Sequence, residues 1–128
     1  RILRDVLKGM SPILLLNSLS IRVNGPKAEN KFFTINWKIK NSNIACHSEL
    51  TNCVLVNREG MHNKAEVTVK ITKDRLSQFA LGEIKLSEIN NEIEVIGDSK
   101  KLNVLNDILD IFPEWFPIAT HSKKVDED

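Results

Sequence analysis

Three histidines, two cysteines and one close pair of glutamates are the residues here whose chemistry could be put to work. His47, His62 and His121 fall on an expected strand, in a loop and near the end of the chain, and no two are spaced as metal ligands. There is no His-x-His-x-Asp-His run and no Cys-x-x-Cys pair. Each histidine therefore reads as a surface residue rather than a ligand. Cys46 and His47 are adjacent, but neighbours on a strand point to opposite faces, which argues against a nucleophile–base pair. Glu92 and Glu94 share a strand face and read as a solvated surface. The glycines never cluster into a phosphate-cradling loop, and scattered lysines with few aromatics between them make no nucleic-acid platform. No catalytic residue and no metal site is expected.

Composition agrees with that negative. The chain has 128 residues, enough for one domain with a real core, and its 41% hydrophobic and 27% charged residues are ordinary for a globular fold. Eighteen basic residues against 17 acidic ones give a formal charge of +1, so no strong pull toward nucleic acid or an anionic membrane is implied. No signal peptide and no apolar run of transmembrane length is present. If Asn52-Cys53 is a two-residue hairpin turn, Cys46 lies five strand residues from it, roughly 15 Å at about 3.3 Å per residue. A disulfide needs Cα atoms within about 7 Å, so two free thiols are expected. That leaves the compartment open.

The elements that must position these residues follow from periodicity. Arg1 to Met10 has helical spacing but starts with neither an initiator Met nor a cap, which suggests an excised fragment. Ser11-Pro12 reads as a helix start, and the helix carries Ile13, Leu14, Leu16, Leu19, Ile21 and Val23, apolar nearly all round. It is expected to close at Asn24-Gly25-Pro26, with Gly25 supplying the positive backbone angles of a helix end. From Lys31 to Lys40, Phe33, Ile35, Trp37 and Ile39 alternate with Thr34, Asn36, Lys38 and Lys40. Strands over Ile44 to Leu50 and Cys53 to Asn57 flank the hairpin, and a polar loop opens at Arg58-Glu59-Gly60. A strand through Ala65, Val67, Val69 and Ile71 follows, then a short helix with Leu76, Phe79 and Ala80 inward that ends at Gly82. Ile84 to Ile89 reads as a further helical turn and Ile93 to Ile96 as a fifth strand. Gly97-Asp98 caps a last helix with Leu102, Leu105, Ile108, Leu109 and Phe112 on its apolar face, stopped by Pro113. Ser122 to Asp128 is a charged tail expected to lack order.

Helices rich in Leu and Ile must thus share one face of a five-stranded sheet. Such a face can close as a solid core, or leave a groove wide enough for an acyl chain. If a pocket exists, the inward positions that would line it are Leu15, Leu19, Phe33, Ile35, Trp37, Leu76, Phe79 and Leu105.

Arg22-Val23-Asn24-Gly25-Pro26-Lys27-Ala28 followed by Phe33-Thr34-Ile35-Asn36-Trp37 resembles the C-terminal domain of alkyl sulfatases, sulfate-ester hydrolases of the metallo-β-lactamase type. The likeness continues through the hairpin at Asn52, Ala65-Glu66-Val67-Thr68-Val69, Ile96-Gly97-Asp98 with Lys101-Leu102, and Trp115-Phe116-Pro117-Ile118-Ala119-Thr120. It implies an α+β, sterol-carrier-protein-2-like (SCP2-like) fold over residues 1–121: a five-stranded sheet with helices on one face around an apolar core or pocket. It also implies a role gathering the alkyl chain of an alkyl sulfate, fatty acid or other amphiphile for separate catalytic and dimerisation domains. The family's zinc ligands belong to the catalytic domain, and none carries over to this chain. Relatives occur in the periplasm and inside cells. Two features depart from the pattern: Cys53 stands where the hairpin usually has Gly, and the apolar run Phe112-Pro113-Glu114-Trp115-Phe116 is expected either to dock on the catalytic domain or to fold back over the sheet.

The reading is a non-catalytic alkyl- or lipid-binding module of a larger sulfatase. The alternatives are a free-standing lipid carrier, or a structural domain whose pocket is filled with side chains.

Overall fold

The structure, a computed structural model, describes residues 6, 9–86 and 92–112. Helix α1 (Pro12–Ile21) begins with Pro in its first turn and is followed by a single helical turn, α2 (Gly25–Ala28). Three strands come next, β1 (Phe33–Ile39), β2 (Ala45–Thr51) and β3 (Val54–Glu59), then β4 (Val67–Ile71). Helix α3 (Lys73–Leu81), strand β5 (Ile93–Gly97) and helix α4 (Lys100–Ile108) complete the order. Most of the expected helix over Arg1 to Met10, residues 87–89 of the turn expected from Ile84 to Ile89, Pro113, the Trp115–Thr120 run and the charged tail lie outside the described residues.

The sheet has the order β3-β2-β1-β4-β5. β1 and β4 run parallel, while the other pairs are antiparallel. The alternation that marked β1 fixes which side is covered. Phe33, Ile35, Trp37 and Ile39 face the helices with at most 5% of their surface exposed, and Val67, Val69 and Ile71 of β4 lie beside them. Leu15, Leu16 and Leu19 of α1, Leu76 and Phe79 of α3, and Leu102, Leu105 and Ile108 of α4 close the same core. This is the α+β, two-layer arrangement that the resemblance implies.

Several local expectations need correction. Helix α1 ends at Ile21 with Arg22 as a right-handed cap, and Gly25 does not take a positive φ. Asn24 accepts a hydrogen bond from the Lys27 amide and so starts α2, a turn that Pro26 favours because its missing N–H would have no partner there. Strand β3 runs on through Arg58 and Glu59, so the loop opens only at Gly60. Helix α4 stops at Ile108 rather than at Pro113, because Leu109 turns extended to bridge Val23. Glu92 precedes β5 instead of sharing its face with Glu94, and it pairs with Arg75 at 2.8 Å.

The hairpin turn is as read. Thr51 pairs with Val54, and Asn52 and Cys53 have φ of 52° and 66°. Both central residues of this turn type need left-handed backbone, which the Cβ of Cys53 resists.

Candidate functional site

The inward face brings the eight candidate lining residues together. Leu15 and Leu19 descend from α1, Phe33, Ile35 and Trp37 rise from β1, and Leu76, Phe79 and Leu105 come from α3 and α4. All belong to one cluster and expose no more than 3% of their surface. The Trp37 and Phe79 rings lie 6.3 Å apart, tilted by 34°. Leu15, Leu19, Ile35, Trp37, Leu76 and Leu105 expose nothing, which leaves no room for a water molecule against them. In this conformation the layer is packed. A separate depression of about 330 Å³ lies at the far end of β1, lined by Phe32, Thr34, Glu49, Thr51, Lys64 and Glu66 with Phe33 and Leu50. Of the eight, it includes Phe33 alone.

One polar seam interrupts the apolar layer, and sequence reasoning missed it. The indole N–H of Trp37 donates to Ser48 Oγ at 2.9 Å, and the Ser48 hydroxyl donates to Asn57 Oδ1 at 2.5 Å. Asn57 Nδ2 donates across the layer to Leu16 O, Asn17 Oδ1 and Ser20 Oγ at 3.0–3.1 Å. The Ser20 hydroxyl donates back to Leu55 O at 2.7 Å. Registry explains the seam: Ser48 stands opposite Ile35 on one side and Asn57 on the other, so all three share the inward face. The same period-2 pattern that identified the apolar face was the signal that could have found it.

Arg22 is the second buried polar feature. Its Nε donates to Asp110 O at 2.7 Å, and Nη1 donates to Phe79 O at 3.0 Å and Ala80 O at 3.2 Å. The Phe79 and Ala80 carbonyls lie in the last turn of α3, where intrahelical donors run out, and Phe79 O also accepts from the Gly82 amide at 3.0 Å. The guanidinium also sits 5.6 Å from the Phe112 ring centre. Burial lowers the Arg22 pKa, and the nearby Asp110 carboxylate partly offsets that. Arg22 remains a cation, because even a lowered arginine stays charged near neutrality.

Among the described residues, the groups with reactive potential lie apart: Cys46 and His47 point to opposite faces of β2. Cys46 faces the core, and burial first, then the Glu59 charge, raises its thiol pKa. His47 is on the opposite face, as the strand period requires. It is not a surface residue: the chain from β3 to β4 must cross back over β2 and β1, and this loop covers it. There His62 packs edge-on against His47 with ring centres 5.2 Å apart. Asn36 clamps the loop, donating to His62 O at 3.0 Å and accepting from the His62 amide at 2.8 Å. His47 Nδ1 donates to Gly60 O at 2.9 Å, and His62 Nδ1 accepts from the Lys64 amide at 3.0 Å. His121 lies outside the described residues. Among those residues no three His, Cys, Asp or Glu side chains converge as metal ligands, so no zinc chemistry is derived from them. None of their helices is long and apolar enough to cross a membrane.

Comparison with known proteins places this arrangement. The linear primary-alkylsulfatase of a Pseudomonas species is 33% identical over 119 residues, which are 91% of this chain and 18% of that protein. The chain thus spans under a fifth of the length of such relatives. The solved stereoselective inverting sec-alkylsulfatase Pisa1 from Pseudomonas superposes with a TM-score of 0.74 at 32% identity, over 81% of this chain and 17% of that one. Palmitated SCP2L2 from Aedes aegypti shares the fold alone, with a TM-score of 0.52 at 13% identity over 82% of this chain and the whole of that one. A family model described as alkyl sulfatase C-terminal matches residues 2–121, and with the SCP2-like sheet and its helix-covered face this establishes that the chain belongs to the alkyl sulfatase C-terminal family.

Proposed function

We propose that this domain binds alkyl chains without catalysing a reaction, and recruits the aliphatic part of alkyl sulfates for a zinc-dependent alkyl sulfatase of which it forms the C-terminal region. The observation that carries the reading is the apolar layer between the helices and β1, roofed on the α1 side by a ten-residue helix with α3 and α4 beside it. That helix is apolar on both sides: Leu15, Leu16 and Leu19 face the core, while Leu14 and Ile21 are 47% and 39% exposed. A roof of this kind can lift and still keep apolar surface on the chain beneath it. The fold it shares with a palmitate-bearing protein supports the same reading. Fatty acids and other amphiphiles fall within this ligand class, and the catalytic and dimerisation regions of the sulfatase are the expected partners.

The closed packing favours a second reading, a structural domain whose layer is permanently filled. Titration with dodecyl sulfate below its micelle concentration separates the two. With Trp115 replaced by Phe, Trp37 is the remaining indole. A saturable change in its emission supports alkyl binding, and so does a lower dodecyl sulfate affinity, measured by calorimetry, in folded Leu105→Trp or Phe79→Trp. An unresponsive Trp37 in the intact fold establishes the filled core instead.

A further inference from the structure

The layer between the helices and the sheet is chemically lopsided. On the β4 and β5 side the buried residues of the sheet are apolar, Val67, Val69 and Ile71 with Ile93. On the β2 and β3 side it holds the chain of polar groups from Trp37 through Ser48 and Asn57 to Asn17 and Ser20. That chain ends at an edge strand, and Asn17 at its end is exposed.

We infer that this seam is the head-group end of the alkyl site: Asn57, with Ser20 and Asn17 across from it, receives the oxygen-rich head of an alkyl sulfate, while the chain runs inward past Trp37 toward Phe79. The inference rests on the alkyl-binding reading above. Three features carry it. First, Asn57 Nδ2 has two hydrogens and three acceptors at 3.0–3.1 Å, so one acceptor is held by a shared hydrogen and a competing anionic oxygen displaces little. Second, hydrogen bonds from neutral donors to a charged oxygen are about twice as strong as those to a carbonyl, so redirecting Asn57 and the Ser20 hydroxyl favours sulfate over the backbone acceptors they now hold. Third, the seam is the route on which a lifting α1 parts from the sheet, because these same bonds join α1 to β3. A head group there stays reachable from solvent, and its chain replaces the contacts the helix gives up.

The selectivity follows from the chemistry. The seam discriminates by hydrogen bonding, so an alkane of equal length loses these contacts while keeping its apolar burial. The test measures the affinity of the intact protein and of Asn57→Leu for dodecyl sulfate and for dodecane, both below aggregation, with the side-chain amide of Asn57 and the indole N–H of Trp37 followed by NMR. The expected result is a shift of the Asn57 amide signals on dodecyl sulfate binding, and an affinity for it about tenfold lower in Asn57→Leu with dodecane affinity unchanged. Ser20→Ala, a smaller change, is the control for folding and is expected to weaken dodecyl sulfate alone by severalfold. Dodecyl sulfate affinity in Asn57→Leu and Ser20→Ala equal to that of the unmodified protein overturns the head-group assignment and leaves alkyl binding standing. No binding of either ligand to the unmodified protein overturns the alkyl-binding reading, and this assignment with it.

Discussion

Arg22 and Asp110 hold each other twice, across 88 residues of sequence. The Asp110 amide donates to Arg22 O at 2.8 Å, and Arg22 Nε donates to Asp110 O at 2.7 Å. Around this clasp the Asn24 amide donates to Ile108 O at 2.8 Å, Asn24 Nδ2 donates to Asp110 Oδ2 at 2.8 Å, and Lys27 Nζ lies 3.5 Å from Asp110 Oδ1. The stretch after α1 is therefore stitched to the end of α4, with the end of α3 tied in through the Arg22 guanidinium.

Replacing Arg22 by Met keeps the buried stem and removes the fork, which takes the guanidinium from the carbonyls of Ala80 and Asp110 and leaves Phe79 O with the Gly82 amide alone. A cost of about 2–4 kcal/mol is expected, since buried acceptors left unpaired lose their full solvation. Arg22→Lys is expected to recover less than half of it, because one ammonium cannot reach three carbonyls in fork geometry. Urea unfolding midpoints compare the three proteins, and a Lys variant as stable as the parent would sink the argument.

Cys53→Gly should raise stability. Cys53 sits at φ 66°, where a left-handed backbone costs a residue with a Cβ about 1–2 kcal/mol, offset in part by the entropy Gly loses on folding. A net gain of about 1 kcal/mol is expected by denaturant unfolding, with Cys53→Ala giving none of it. Equal stabilisation by Ala would point to loss of the thiol rather than relief of the turn.

Two glycines with similar backbone angles should respond differently to Ala. At Gly97, with φ +108°, an added Cβ would meet Glu66 O at 2.5 Å; at Gly60, with φ +96°, it meets nothing within 4 Å. Gly60→Ala is expected to cost about 1 kcal/mol from backbone strain alone. Gly97→Ala adds a clash with the backbone at the β4–β5 pairing and should cost about 3 kcal/mol or more. Thermal melting of the two variants reads the difference directly.

The two thiols should be distinguishable by reaction. Cys46 is fully enclosed, with its pKa raised above the ordinary 9.0, whereas Cys53 is half-buried at the hairpin tip. One thiol per chain is expected to react promptly with an aromatic disulfide reagent at pH 8, and the second only on unfolding. The raised value also sets a sign. The unfolded chain ionises Cys46 more readily, so stability from keeping it neutral is complete below the ordinary thiol range and declines as pH rises through about 9 and beyond. A Cys46→Ala variant should lose that alkaline decline, although it also loses packing.

Much of the architecture was legible because it rests on short-range rules. The β1 alternation, the left-handed Gly82 that ends α3, and the hairpin at Asn52-Cys53 are each set by neighbours a few residues apart. The eight inward residues were legible for the same reason, since strand and helix periods decide which side chains share a face. Helix ends at tertiary junctions were not. Gly25 looked like a stop signal, although Asn24 with Pro26 two residues on is equally a local start signal, and it is the start that the fold uses. Nothing local told that Leu109 would leave α4 to bridge Val23.

The amino-acid sequence by itself determined the elements, the covered face of the sheet and the membership of residues 2–121 in the alkyl sulfatase C-terminal family. Tertiary structure alone decided which distant residues meet. Placing β4 on the far side of β1 from β2 and β3 makes the chain recross the sheet by about three strand spacings of roughly 4.8 Å, and that crossing lays His62 on His47 and Asn36. The same registry puts Ser48 and Asn57 beneath α1. Local propensity and periodicity act over a few residues, whereas these contacts join positions 9 to 88 apart and exist only once the strands have chosen their partners.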